Sequence, residues 1–257
     1  MDIIRKTTKN DAMCFLKTDL HTHILPGVDD GAPSLDVALD MLRLQKNRGV
    51  ERVALTPHFY PHKESLESFV KRIEESYAAL RSSWDSQSMP QLCLGAEVRY
   101  APVLTQLDLQ QLTIGNSNYL LLELPDSGTV PLATHVIESI LFQGIVPVLA
   151  HIERCDMFRS EPDLLLKFIQ MGAMAQISAD ALIGKADKFA VACLNSGLAH
   201  IVASDIHKPC DCVAFSLLKK YTDTIRCTEH FARAVWDHTP LPAFSIKPIK
   251  RTLLGYR

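Results

Sequence analysis

Histidines and carboxylates recur in this chain at the ends of short apolar runs. The run Cys14–Leu20 leads into Asp19, His21 and His23; Arg52–Leu55 is followed by His58; Leu92–Leu94 by Glu97; Tyr119–Leu124 holds Glu123; Ile145–Ala150 is followed by His151; and His200–Ala203 by Asp205 and His207. Imidazole suits zinc, iron and copper, whereas carboxylate suits harder ions such as manganese and magnesium. Residues i and i+2 of an extended segment face the same side. His21 and His23 therefore form one candidate ligand pair, and Asp205 and His207 another. So many acids and imidazoles in one cavity stay unpaired or repel unless cations join them, and more than one ion is needed. Carboxylates bridging ions about 3.5–4 Å apart make the arrangement used for phosphoester hydrolysis. Each piece has a bland alternative: His-x-His alone is a weak signal, Glu123 alone fits a buried ion pair, and Asp205 with His207 fits a helix cap. Their joint placement at six strand ends points to metal.

The elements needed to position such a set are legible as apolar strands alternating with amphipathic helices. Helices are expected over Leu35–Asn47, Ser65–Arg81, Leu132–Phe142, Pro162–Met171, Lys185–Asn195, Cys212–Thr222 and Thr228–Asp237, with Ser34 as an N-cap and Gly172 as a stop. The strands are the six runs above plus Ala175–Ile177. Seven strands alternating with helices in 257 residues imply a mainly parallel sheet with right-handed crossovers. Parallel strands aim their C-terminal ends at one face, and a closed or distorted barrel brings them closest together. The expectation is therefore an α/β chain forming one domain over 1–257, with 1–16 as an N-terminal extension and a proline-bearing tail wrapped on the surface after Thr239.

Composition narrows the classes further. Hydrophobic residues at 47% and charged residues at 22% describe a globule able to bury a large core, which excludes disorder and a cysteine-stapled miniature fold. A net charge of −2 lacks the basic surplus of a nucleic-acid binder, so no nucleic acid is expected as partner. No apolar stretch approaches the roughly 20 residues that span a bilayer, and the first residues lack a continuous apolar segment. A cytoplasmic location without membrane insertion is expected.

The segment Asp19–Gly31, reading Asp-Leu-His-Thr-His-Ile-Leu-Pro-Gly-Val-Asp-Asp-Gly, resembles the polymerase and histidinol phosphatase (PHP) superfamily. Within it, the chain is similar to the bacterial PHP-type protein tyrosine phosphatases of capsule and exopolysaccharide operons, over Asp19 to about Asp237. The resemblance implies a distorted (β/α)7 TIM-like barrel with a three-ion site at the C-terminal face of the strands. Carried over position by position, the implied metal ligands are His21, His23, Asp30, His58, Glu97, Glu123, His151, Asp205 and His207. Arg154, from the motif His-Ile-Glu-Arg, is implied as a phosphate clamp, and Asp29 as a residue that orients a ligand. The implied cofactor is two or three divalent ions, manganese first, with iron or zinc as alternatives. The implied substrate is a phosphotyrosine protein, the tail of a membrane-associated bacterial tyrosine kinase. Lys208–Cys212 departs from the family pattern, because an arginine common there is missing.

Two other enzyme readings and one non-enzymatic reading stand beside this. A small-molecule phosphatase of the histidinol-phosphate type would need a deeper pocket, and a docking protein would bind metal without turnover. Two Cys-x5-Arg matches, Cys93–Arg99 and Cys227–Arg233, mimic the loop of cysteine-based tyrosine phosphatases. That chemistry needs backbone N–H groups at a helix N-terminus around the thiolate. The first match is expected on a strand and the second within a helix, so both are expected to be decoys. Phe59 and Tyr60, next to His58, are candidates either to stack on a phosphotyrosine ring or to pack in the core.

Overall fold

The computed structural model describes residues 16–125, 130–243, 245–252 and 255–256. The expected extension over 1–16 lies almost wholly outside them. Nine short strands carry the site: β1 (Thr18–Asp19), β2 (Arg52–Leu55), β3 (His58–Phe59), β4 (Gln91–Leu94), β5 (Glu97–Arg99), β6 (Tyr119–Glu123), β7 (Val146–Leu149), β8 (Met174–Ser178) and β9 (Ile201–Ala203). They form a three-stranded sheet in the order β1-β2-β4 and a six-stranded sheet in the order β3-β5-β6-β7-β8-β9. Every pairing within these two sheets is parallel.

The two sheets are one curled ribbon with a break in it. Leu55 pairs with Leu94 and His58 with Glu97, and both offsets equal 39 (94 − 55 and 97 − 58), so β3 continues β2 and β5 continues β4 without a slip. Pro57 sits in the break; it has no N–H to give to the ladder. The strand expected over Arg52–Leu55 matches β2 and the one expected from Leu92 falls in β4, and each is followed by a short continuation, β3 and β5. At the outer edges of the ribbon, Thr22 bridges in parallel to Ile206. Asp205 N–H donates to His21 O (2.9 Å) and His23 N–H to Ile206 O (3.0 Å).

Helices cover the outside of the ribbon: α1 (Leu35–Asn47), α2 (Leu66–Ser82), α3 (Val130–Phe142), α4 (Asp156–Ser160), α5 (Pro162–Met171) and α6 (Lys188–Ser196); α7 (Thr222–Trp236) instead plugs its N-terminal end. The local reasons are the expected ones. Ser34 and Ser65 accept from the backbone N–H groups of Val37 and Ser68, and Asp187 from those of Phe189 and Ala190. Pro162 opens α5 and left-handed Gly172 (φ 116°) ends it. Left-handed Gly197 (φ 76°) ends α6, and a Cβ there would come within 2.5 Å of Ser245 O, so the tail can lie flat against this turn.

Two expectations are corrected. The helix expected over Cys212–Thr222 is a 3-10 run over Pro209–Tyr221, and the last helix begins at Thr222 instead of Thr228. Asp211 accepts from the backbone N–H groups of His207 and Lys208, which winds the start of that run tightly. The tail does cross the surface after Thr239, but it also contains a short antiparallel pair, Arg251–Thr252 with Gly255–Tyr256, whose Tyr256 ring packs on Phe189.

Alternation within the strands delivers the polar residues. Leu121, Val148, Met174, Ile201 and Ala203 join one buried cluster with Phe231, Ala232 and Val235 of α7, which fills the inside of the ribbon from its N-terminal end. Residues two further along a strand face the same way. Glu123 follows Leu121, Gln176 follows Met174 and Asp205 follows Ala203, so the apolar plug passes directly into a polar layer.

Candidate metal centre

Glu97, at the start of β5, is completely buried and stands at the middle of the polar layer. Its Oε2 lies 3.2 Å from His21 Nε2, 3.3 Å from His23 Nε2 and 2.9 Å from His58 Nδ1, and its Oε1 accepts from His151 Nε2 at 2.8 Å. None of the first three contacts has the direction of a hydrogen bond to Oε2. Asp205 Oδ1 completes the inner group, 3.2 Å from His21 Nε2 and 3.3 Å from His23 Nε2.

The rings are held so that Nε2 faces inward. His21 Nδ1–H donates to Gln176 Oε1 (3.2 Å), His23 Nδ1–H to Asp29 Oδ2 (2.7 Å) and His207 Nδ1–H to Asp205 O (2.9 Å). Such partners fix the tautomer of a ligating imidazole. The inward Nε2 atoms of His21 and His23 then lie only 3.2 Å apart. Two lone pairs cannot hydrogen-bond to each other. A cation between them and the carboxylates of Glu97 and Asp205 would satisfy all four donor atoms, so the residues present fit a divalent ion.

Three groups of donor atoms are close enough to hold an ion: His21, His23 and Glu97; His58, Glu97 and Glu123; and His23, Asp30, His58 and His207. Asp30 is the outermost member, with 72% of its side chain exposed, and its Oδ1 lies 3.6 Å from both His58 Nε2 and His207 Nε2. Glu123 approaches from β6, 3.9 Å from His151 Nε2, and is held by Arg99 Nη1 at 2.6 Å. The structure therefore brings all nine carboxylate and imidazole residues singled out above into one cup. Asp29 stands behind His23 and also accepts from the N–H groups of Gly31 (3.0 Å) and His58 (3.1 Å). Arg154 lines the rim, its Nη1 on Asp205 Oδ2 at 2.8 Å and its Nη2 3.8 Å from Asp180.

The loop with Asp29 and Asp30 is pinned from both sides. Ala32 N–H donates to His23 O (2.9 Å), and a Cβ on Gly31 would lie 1.8 Å from that oxygen, so only glycine allows the approach. From outside, Arg72 Nη1 of α2 donates to Val28 O (2.6 Å) and Ser76 Oγ to Pro26 O (2.7 Å). His151 (φ 29°) and Asp205 (φ 54°) occupy left-handed backbone, where residues other than glycine are uncommon and often functional.

The electrostatics follow from this packing. Burial pushes the Glu97 and Asp205 carboxyls up, but the adjoining imidazoles outweigh it and hold both below the ordinary carboxylate range. Burial likewise opposes charge on His21 and His23, yet the surrounding carboxylates raise both. Asp19, at the end of β1, behaves differently: burial raises it to about 6, although Ser204 N–H and Oγ and Gln45 Nε2 donate to it. It ties β1 to the turn after β9 and stays outside the cup.

Sequence reasoning missed Gln176. Its Oε1 accepts from His151 N–H at 2.8 Å as well as from His21, so one amide orients two of the imidazole residues. The signal was available, since a buried amide on the inward side of an otherwise apolar strand needs a partner. Asp180, Ser204 and Arg99 were also missed. The decoys are disposed of by position: Cys93 is half-buried on β4, where desolvation pushes its thiol pKa far up, and Cys227 lies within α7. Phe59 is fully buried against Phe69, at a 4.8 Å ring separation, so it serves the core.

A family model described as capsular polysaccharide synthesis, CpsB/CapC, matches residues 17–213. A putative tyrosine-protein phosphatase CapC of Staphylococcus aureus is 29% identical over 197 residues, covering 74% of this chain and 76% of its own. The tyrosine-protein phosphatase YwqE of Bacillus subtilis (strain 168) is 30% identical over 197 residues with the same coverage. A chain from the crystal structures of YwqE from Bacillus subtilis and CpsB from Streptococcus pneumoniae, described as metal-dependent tyrosine phosphatases, matches with a TM-score of 0.75 and 24% identity. The match covers 91% of this chain and 99% of that one, and it shows a shared fold.

Proposed function

The chain belongs to the capsular polysaccharide synthesis CpsB/CapC family, and from that premise we propose that it is a metal-dependent protein tyrosine phosphatase. The observation that carries the reading is Glu97, one buried carboxylate with a ring nitrogen of each of four imidazoles turned toward it. The nine residues of the cup are its metal ligands, holding two or three divalent ions, with manganese first and iron or zinc as alternatives. The architecture is a distorted (β/α)7 barrel of the PHP superfamily, closed where Thr22 meets Ile206, and 1–257 act as one unit. The substrate is a phosphorylated tyrosine kinase of capsular or exopolysaccharide synthesis, met in the cytoplasm. No helix among the described residues is long and apolar enough to cross a membrane.

Bound divalent ions supply Lewis acidity toward the phosphoryl group and lower the pKa of water. The chain's own residues do the rest. Asp29, Gln176 and the Asp205 carbonyl hold three imidazoles in one tautomer and orientation. Arg154, anchored on Asp205 and half exposed at the rim, offers its remaining N–H groups to equatorial phosphoryl oxygens. Phenolate, with a parent pKa of about 10, leaves without the strong acid that an alkoxide would need.

The test is hydrolysis of a phosphotyrosine peptide and of histidinol phosphate, with and without chelator and with a thiol alkylator. Chelator-sensitive, alkylation-resistant release of phosphate from the peptide is expected. Activity that survives chelation and dies on alkylation overturns the reading, and preference for histidinol phosphate overturns the substrate class.

A further inference from the structure

Beside the metal centre lies a cavity of about 410 Å³ with Arg154, Asp205 and His207 at its inner end and Ile183 and Leu217 along its wall. We propose that this cavity is the subsite for the aryl ring of the phosphotyrosine, with Ile183 and Leu217 as the residues that select an aromatic ester. The inference rests on the phosphatase reading above.

The volume is within the usual range for small-ligand pockets, roughly 300–1,000 Å³. Its lining joins polar groups of the centre to two large apolar side chains, Ile183 and Leu217, with Asp180 and Asp211 also on the wall; a phosphorylated ring presents the same two chemistries, an anion and an apolar face. Arg154 spans the distance between Asp205 and Asp180 on the cavity lining, so a phosphoryl group that meets Arg154 and the centre sits at the edge of this cavity. Leu217 is 52% exposed and is one of four large hydrophobics that stand so open among the described residues; the other three, Val103, Leu132 and Phe142, do not line this cavity. A ring laid against it removes that surface from water.

The opposite rim offers no equivalent. Phe59 is buried, one face of Tyr60 is already covered by Lys63 Nζ at 3.9 Å, and the ring also lies 5.2 Å from that of His58. A ring stacked on that face of Tyr60 would have to displace the ammonium.

The experiment uses the full metal-loaded chain and the variants Leu217→Ala, Ile183→Ala and Tyr60→Ala. Loss of an interaction with the ring that is equal in ground and transition states raises KM and spares kcat. KM for a phosphotyrosine peptide is expected to rise about tenfold in Leu217→Ala and in Ile183→Ala. Competitive inhibition by inorganic phosphate, which has no ring, is expected to stay as in the parent chain. Unchanged KM in both variants, a KM rise confined to Tyr60→Ala, or a parallel loss of phosphate inhibition overturns the ring assignment. Absence of chelator-sensitive hydrolysis in the parent chain removes the phosphatase reading and this inference together, so the two failures are distinct.

Discussion

Replacing Gln176 by leucine removes one oxygen and disturbs two imidazole residues at once. Gln176 Oε1 accepts from His151 N–H at 2.8 Å and from His21 Nδ1–H at 3.2 Å, and the whole residue is 1% exposed. Leucine has similar volume and no acceptor, so the buried His151 N–H is stranded at a cost of about 1–3 kcal/mol. Freed from its partner, His21 can turn over or carry its proton on Nε2, which is the atom 3.2 Å from Glu97 Oε2. Loss of such an orienting partner weakens metal binding about 10–100-fold. The assay is a competition titration of the metal-free chain against a chromophoric chelator, run beside urea denaturation of the same metal-free samples. Gln176→Glu keeps an acceptor at both positions and is expected to retain most of the affinity. Leucine at 176 with affinity within roughly twofold of the parent refutes the orienting role, even if stability falls.

Arg154→Ala is expected to lower kcat/KM on a phosphotyrosine peptide by about 10²–10³, and Arg154→Lys to recover only part, because an ammonium cannot form the planar fork. His200, buried beside Phe231 and accepting from Ala175 N–H through Nδ1, has its pKa pushed down to about 4 by burial. Its native form stays neutral while the unfolded chain takes up a proton below about 6.5, so stability is lost as pH falls from there and the loss levels near pH 4, at about 3 kcal/mol. His200→Asn, which keeps an acceptor, is expected to flatten that part of the pH–stability curve; equal slopes in urea titrations between pH 7 and 4 would contradict it. Glu229 of α7 accepts from Lys17 N–H (2.9 Å), Thr18 N–H (3.0 Å) and Thr18 Oγ1 (2.9 Å). Glu229→Ala is expected to cost at least about 2 kcal/mol in denaturant unfolding, with Glu229→Gln losing less.

What could be read from the sequence was the alternation of apolar runs and amphipathic segments, because periodicity and caps act locally. Leu35–Asn47 and Pro162–Met171 coincide with α1 and α5, where Ser34, Pro162 and Gly172 punctuate the chain. The breaks at Pro57 and at Gly95–Ala96 were not legible, since they depend on how neighbouring strands align. The 3-10 winding of Pro209–Tyr221 depends on Asp211 turning back to His207 N–H, a contact that an apolar pattern does not report. In the site, residue types at strand ends pointed to the cup, whereas Gln176 signalled only that a buried amide needs a partner, not which one, and Asp180 comes from the turn after β8. Asp30 was legible by resemblance alone, because it comes from a loop and not from a strand end.

The contact between His21 and Asp205 joins points 184 residues apart in the chain (205 − 21), and it has a consequence for synthesis. A nascent polypeptide emerging from the ribosome displays its first imidazole pair early, but the partner aspartate appears only when most of the protein has been made. Until then the early histidines are a bare chelating sequence, open to whichever transition ion the cell leaves free. On the proposed metal reading, selective loading has to wait until β9 and Asp205 have been made; capture of a stray ion before that point would hold together a fragment that has no pocket for it.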